Sequence, residues 1–288
     1  MWEKGISTCG YAQDCAIKDY LPRIKKAGYD SIDFSLYNYY NEIMHPNRIS
    51  WAKDIRAAVA DVGLTIDQAH AKMGNTANLS LPYEPPAEIY YRSIEVCSIL
   101  GCKELVIHPL IATTVIEADE LDKLMEYNIR WFRELIKPAK THGVHICIEN
   151  TVDIRPHTIS TPFTTAPDVI ALVESLADPN VGICLDTGHA HIASQDIANM
   201  IQHFGKHLRV LHLHDNFGMI NPIHPDRHLF PGAGTIDFPS VFRALKEINF
   251  IGTMNLEIGN LEHLPVNVRD AAITGGALIL QAYMAGLS

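Results

Sequence analysis

A chain of 288 residues, 47% hydrophobic and 19% charged, is long enough for one large domain or two ordinary ones and too apolar to be disordered. Its 33 acidic and 23 basic side chains leave a formal net charge of -10, which repels duplex DNA and anionic membranes and disfavours non-specific binding to either. Histidine is the unusual component: its 15 copies approach two thirds of the Lys plus Arg total, and it is both a near-neutral proton carrier and a frequent metal ligand.

Short apolar runs alternate with longer helical patterns from end to end. The first run, at 5–9, follows a charged start without a long apolar stretch, so no secretory signal is expected and the protein is assigned to the cytoplasm. A helix at 19–27, a strand at 31–35, a helix at 51–62 and a strand at 65–70 follow, then a helix at 87–100 and a strand at 104–108. The pattern continues with a helix at 117–142, a strand at 145–149, a helix at 167–175, a strand at 182–186, a helix at 197–207 and a strand at 210–214. A helix at 239–248, a strand at 253–258 and a helix at 264–284 complete it. Glycine stands directly after four of the helices (Gly28, Gly63, Gly101, Gly143), where a left-handed cap favours it.

No linker or composition shift divides the chain, so residues 1–288 are expected to form one domain. Eight strand and helix pairs in this length point to the α/β class and a (β/α)8 TIM barrel. A doubly wound dinucleotide fold would carry a Gly-rich turn after its first strand, and no GxGxxG follows Cys9. Near-continuous apolar strands such as 104–108 and 145–149 suit a parallel sheet covered by helices. The six cysteines (Cys9, Cys15, Cys97, Cys102, Cys147, Cys184) form no CxxC and read as reduced thiols, with Cys147 and Cys184 as inert packing. Residues 271–288 carry no charge but contain Thr274, Gly275, Gly276 and Gln281 and fall short of a span of about 20 apolar residues. A buried or subunit-facing last helix, and through it a homo-oligomer, is the expectation.

In a TIM barrel the chemistry sits at the carboxyl ends of the strands. From the third strand onward those ends carry His70, His108, Glu149, Asp186, His212 with His214, and Glu257. Carboxylates converging on one mouth repel by several kcal/mol unless a divalent cation or protons intervene, so a metal centre is expected. Asp186 could instead be an N-cap on the following helix, which would leave His189 exposed. Strand alternation puts His212 and His214 on one side, with Leu211 and Leu213 facing the helices. The amides of Pro231-Gly232-Ala233-Gly234 suit a phosphate or, as the preferred reading, a simple loop turn. Phe34, Tyr37, Phe163 and Phe217 either wall a pocket or fill the core, and His142, His145, His157, His203 and His207 are expected in solvent.

The strings Ile148-Glu149-Asn150, Asp186-Thr187-Gly188-His189, His212-Leu213-His214-Asp215-Asn216, Asp226-Arg227-His228-Leu229, Pro231-Gly232-Ala233-Gly234-Thr235-Ile236-Asp237 and Asn255-Leu256-Glu257 together resemble the xylose-isomerase-like TIM-barrel superfamily. It contains sugar epimerases and isomerases, inosose-processing enzymes and type IV apurinic endonucleases. Resemblance to its ketose 3-epimerases implies one metal held by Glu149, Asp186, His212 and Glu257, with His189 on substrate hydroxyls. Three oxygen donors and one imidazole favour Mn²⁺, Mg²⁺ or Co²⁺, with Zn²⁺ also accommodated. His70, His108, Asp226, His228 and Arg155 are the further expected substrate contacts. Two departures mark different substrate contacts: Arg155 stands where those epimerases tend to carry an acidic residue, and Gly218 where they carry an arginine.

The endonuclease branch has three metals and nine ligands, and counterparts of most are present: His70, His108, Glu149, Asp186, His189, His212, Asp226, His228 and Glu257. Against DNA repair stand the net charge of -10, Thr151-Val152-Asp153-Ile154-Arg155-Pro156 in place of that branch's Ala-Gly-x-Gly after the glutamate, and the isomerase-style Pro-Gly-Ala-Gly-Thr-Ile-Asp string. The implied reaction is isomerisation or epimerisation of a sugar or sugar derivative, with the metal holding the developing enediolate oxygen and two glutamates exchanging the proton. Glu149 and Glu257 are expected on opposite sides of the mouth, about three strands apart either way. A keto-sugar or inosose lyase or dehydratase is the alternative, and a multi-metal phosphodiesterase a further one. The partner is then a small sugar, with no nucleic acid and no membrane.

Overall fold

The structure, a computed structural model, describes residues 2–11, 16–113, 120–152, 162–218, 226–259 and 261–286. Eight parallel strands carry the apolar runs: β1 (Lys4–Ser7), β2 (Ser31–Ser35), β3 (Thr65–His70), β5 (Glu104–Ile107), β7 (His145–Glu149), β8 (Val181–Asp186), β9 (Leu208–His212) and β10 (Met254–Leu256). Their order, β10-β1-β2-β3-β5-β7-β8-β9, follows the chain around a barrel. The ring closes where Leu213 N donates to Asn255 O at 2.8 Å and Glu257 N donates to Leu213 O at 3.1 Å, just beyond the ends of β9 and β10. Two short strands that periodicity did not reveal, β4 (Thr76–Ala77) and β6 (Ile111–Ala112), pair with each other above the ends of β3 and β5.

The helices form the outer layer: α1 (Ile17–Ala27), α2 (Tyr40–Met44), α3 (Arg48–Asp61), α4 (Glu88–Leu100), α5 (Leu121–His142), α6 (Ala166–Leu176), α7 (Thr187–Ile192), α8 (Ile197–Phe204), α9 (Phe238–Glu247) and α10 (Val266–Ala285). Gly28, Gly101 and Gly143 cap α1, α4 and α5 in the left-handed region, at φ 98, 80 and 66, as the helix-Gly-strand pattern predicts. Outward strand residues such as Ile32, Phe34, Leu105, Ile146 and Leu211 join the helices in the main core. α10 turns Arg269, Ile273, Gly276, Ala277 and Leu280 inward, and among the described residues no helix is long and apolar enough to cross a membrane.

Inward residues fill the barrel in layers. On one side Val106, Cys147, Cys184 and Val210 form a small apolar cluster of their own, in keeping with the packing role expected for the two cysteines. The opposite side is polar, with Ser31, Asp33, Gln68 and Asn255 all buried. At the amino-terminal end Arg209 closes the barrel: Nε and Nη2 donate to Glu104 Oε2 and Oε1 at 2.9 and 3.1 Å, and Nη2 lies 2.7 Å from His145 Nδ1. Gly182 makes room, because a Cβ there would overlap the Arg209 side chain. His145 is therefore half-buried in an ionic cluster, 3.0 Å from Glu104, rather than in solvent as its strand-start position led us to expect.

This cluster has a measurable consequence. Burial raises the Glu104 carboxyl, but the Arg209 hydrogen bonds and charge outweigh it and hold Glu104 below the usual glutamate range. A depressed carboxylate contributes stability that is present above the unfolded value, about 4.3, and is lost as pH falls through the folded one. Arg209→Met leaves that carboxylate without its partner and is expected to cost about 2–3 kcal/mol at pH 7 in urea unfolding. The difference from the parent protein should shrink as pH falls below the unfolded value and through the depressed folded value of Glu104, where the carboxyl becomes protonated in both.

Candidate metal centre

Strand ends deliver the predicted residues to one mouth. His70 ends β3, His108 follows β5, Glu149 ends β7, Asp186 ends β8, His212 ends β9 and Glu257 follows β10. Glu149, Asp186 and His212 are essentially fully buried, and Glu257 is buried too. His212 Nδ1 is their focus, 3.3 Å from Glu149 Oε2, 3.4 Å from Glu257 Oε2 and 4.0 Å from Asp186 Oδ2. Ligand atoms bound at about 2.1 Å to one cation stand about 3.0 Å apart at a right angle and about 3.4 Å at the tetrahedral angle. Among the described residues Glu149 Oε2 and His212 Nδ1 are also buried without a hydrogen bond, a costly state for a polar atom and the one expected of atoms reserved for a cation. The four predicted ligands therefore fit a divalent ion.

Three more histidines are oriented in the same sense. His70 Nδ1 donates to Ala71 O at 2.8 Å, His189 Nδ1 to Asn150 O at 3.0 Å and His228 Nδ1 to Glu257 O at 3.0 Å. With Nδ1 committed to a carbonyl, a neutral ring presents a bare Nε2 lone pair to its other neighbour. That neighbour is a carboxylate each time: His70 Nε2 is 3.2 Å from Glu149 Oε2, His228 Nε2 3.1 Å from Asp226 Oδ2 and His189 Nε2 3.6 Å from Asp226 Oδ2. Lone pairs facing each other require a cation or a proton between them. Without a metal, protons serve: burial lowers each ring, but the carboxylates outweigh it, raising His70 and His189 and pushing His228 up to about 10. Burial likewise opposes ionisation of Asp186, yet the His189 and His214 charges hold it at about 2. His108 Nε2 adds a contact to Glu149 Oε2 at 3.2 Å. The predicted substrate contacts His70, His108, His189, Asp226 and His228 thus gather around the four ligands, while Arg155 lies outside the described residues.

Asp186 serves two purposes. Its Oδ1 caps α7 by accepting from His189 N at 2.7 Å, so the N-cap reading holds, yet His189 is drawn into the site instead of being left in solvent. His214 Nε2 contacts both Asp186 oxygens, at 3.0 and 2.9 Å, and its ring stacks on His228 with centroids 3.9 Å apart. His212 and His214 do share a side, but only His212 reaches the central cluster of Glu149 and Glu257. Gly188 permits this packing, since a Cβ there would overlap the His214 ring. Gly188→Ala is expected to lower stability by about 2–4 kcal/mol in thermal or urea unfolding, because the His214 ring that supports Asp186 must move.

Other expectations resolve more simply. Asp215 occupies the amides of the glycine loop, accepting from Gly232 and Gly234 N at 2.9 Å each and from Ile236 N at 3.1 Å, so the loop is a turn wrapped on a carboxylate. Tyr37 stands edge-on to His70 at the mouth, whereas Phe34 and Phe163 are core and Phe217 is exposed. Glu149 and Glu257 are not three strands apart either way: β8 and β9 separate them on one side and β1, β2, β3 and β5 on the other. Reading strand ends alone missed Asp33, inside β2, which stands 3.3 Å from His212 Nε2. It also missed Asn150, whose side chain clips the Asp186 backbone at 2.8 and 3.0 Å.

Comparison with known proteins agrees with this architecture. A family model described as xylose isomerase-like TIM barrel matches residues 21–275. Inosose isomerase of Bacillus subtilis is 28% identical over 182 residues, which is 63% of this chain and 63% of that protein, so the chain spans less than two thirds of its length. Ketose 3-epimerase of Arthrobacter globiformis is 22% identical over 261 residues, 88% of this chain and 81% of that one. A solved L-ribulose 3-epimerase superimposes with a TM-score of 0.74 at 18% identity, covering 99% of this chain and 95% of that one, a likeness of fold.

Proposed function

The chain belongs to the xylose isomerase-like TIM barrel family, and from that membership and the site's geometry we propose that it is a divalent-metal-dependent isomerase or epimerase of a sugar or sugar derivative. The carrying observation is the position of two carboxylates, Glu149 Oε2 and Glu257 Oε2, 3.3 and 3.4 Å from the same imidazole nitrogen. They approach it from the end of β7 and from just beyond β10, with β8 and β9 between. Lewis-acid stabilisation of developing negative charge is what a cation held by Glu149, Asp186, His212 and Glu257 supplies when bound, with Mn²⁺, Mg²⁺ or Co²⁺ the best match to the donors. One glutamate takes the proton from the carbon beside the substrate carbonyl and the other returns one, to the opposite face for epimerisation or to the neighbouring carbon for isomerisation. His70, His108 and His189 contact Glu149, His228 contacts Glu257, and Asp226 lies beside His189 and His228; together they orient substrate hydroxyls.

Two names among the relatives, inosose isomerase and ketose 3-epimerase, support this substrate class. The test is a panel of ketoses, aldoses and keto-sugars assayed in deuterated water with Mn²⁺ present. Deuterium entering recovered substrate or its isomer, with no loss of water or an aglycone, supports the reading; elimination products would favour a lyase or dehydratase. A second reading, a multi-metal phosphodiesterase, draws support from one observation: the donors also group as His70, His108 and Glu149 and as His214, Asp226 and His228. The net charge of -10 opposes a polyanionic substrate.

A further inference from the structure

Asp33 stands in the middle of β2, inside the barrel, beneath the proposed cation and outside its ligand set. It is 0% exposed, and no hydrogen bond within the described residues reaches either of its oxygens. A buried carboxylate in that state is strongly disfavoured unless a charge or donor faces it. His212 Nε2 does so, 3.3 Å from Asp33 Oδ2, while the other nitrogen of the ring, Nδ1, faces Glu149, Glu257 and Asp186. A neutral imidazole has one N–H and one lone pair. If Nδ1 turns its lone pair to a cation, the hydrogen resides on Nε2 and points at Asp33. The ring has little freedom to turn away, since it lies nearly parallel to His70, at 12° with centroids 5.4 Å apart.

We propose that Asp33 is a positioning residue that holds the Nε2–H of His212, fixing the tautomer and the ring orientation in which Nδ1 binds the cation. The proposal rests on the metal-centre reading above. Carboxylates behind ligating histidines raise the basicity of the ligand nitrogen, and their removal costs about 10- to 100-fold in metal affinity. Asp33 reaches the cation only through His212, so it affects the metal while touching neither it nor the substrate.

The test is titration of the metal-stripped full chain with Co²⁺, followed by its visible absorption and by competition with a chelator. Asp33→Leu, apolar and of the same branched outline, is expected to weaken Co²⁺ binding by about 10- to 100-fold and to shift the absorption bands. Asp33→Asn, whose side-chain oxygen still accepts from Nε2–H, is expected to lose less. An Asp33→Leu protein that binds Co²⁺ within twofold of the parent, with unchanged bands, overturns the proposal and leaves the metal centre standing. Should Asp33→Leu fail to fold, Asp33→Asn decides: at least about threefold weaker binding supports the proposal, and unaltered affinity overturns it. A parent protein that takes up no Co²⁺ removes the metal-centre reading itself, and the proposal with it.

Discussion

Glu149→Gln and Glu257→Gln are each expected to reduce kcat on the cognate sugar by at least about a thousandfold while leaving the barrel folded. The amide keeps the size of the carboxylate but neither accepts a proton at neutral pH nor brings the negative charge a divalent cation requires. General acid–base catalysis alone contributes about 10²–10⁴-fold, and a weakened cation site adds to the loss. The two variants should differ in a partial reaction. The glutamate that removes the proton is essential for exchange of substrate hydrogen with deuterated water, whereas loss of the one that returns it leaves slow exchange without net conversion. Full turnover in either variant contradicts the assignment. Circular dichroism and unfolding curves separate lost chemistry from lost fold.

Removal of the cation is expected to have an effect of similar size. Stripping with a chelator should abolish conversion and lower the melting temperature, and addition of Mn²⁺ or Co²⁺ should restore both. A ligand present at a thousand times its dissociation constant stabilises the folded state by about 4 kcal/mol. The pH dependence follows from the raised histidines. Without a metal, burial lowers His212 and His70, but the Cys184, Glu257 and Glu149 charges around His212 and the Glu149 carboxylate beside His70 outweigh it and raise both. A cation must displace the proton on His212 Nδ1, so its binding releases protons and its apparent affinity rises with pH through the neutral range. Calorimetry in buffers of different ionisation enthalpy measures this directly, and proton uptake on binding would contradict it.

Much of the site was legible because TIM barrels concentrate chemistry at strand ends and because inward and outward residues alternate along a strand. Correct strand ends, marked by apolar runs and by glycine caps such as Gly143, brought Glu149, Asp186, His212 and Glu257 into view together with His70, His108 and His214, and only the resemblance to the ketose 3-epimerases singled out those four as ligands. Asp33 was not legible, because it lies two residues before the end of β2 and its meaning depends on His212 reaching across the barrel from β9. His145 was misread for a related reason: at the start of a strand it resembles an exposed residue, and only Arg209, beyond a register shift between β8 and β9, encloses it. The expected spacing of the two glutamates failed on arithmetic of the ring, since the fifth and eighth strands of an eight-stranded barrel are separated by two strands and by four. β4 and β6, at two residues each, are too short to carry any periodicity.

The nine donors at the mouth make the number of cations the decisive quantity, because one ion held by Glu149, Asp186, His212 and Glu257 suits proton transfer on a sugar and a cluster of three suits phosphodiester hydrolysis. Elemental analysis of the protein after equilibration with Mn²⁺, Co²⁺ and Zn²⁺ and removal of loose ions answers it. About one ion per chain is expected, lost in His212→Ala and retained in His228→Ala. About three ions per chain, with one of them lost in His228→Ala, would contradict the single-ion centre.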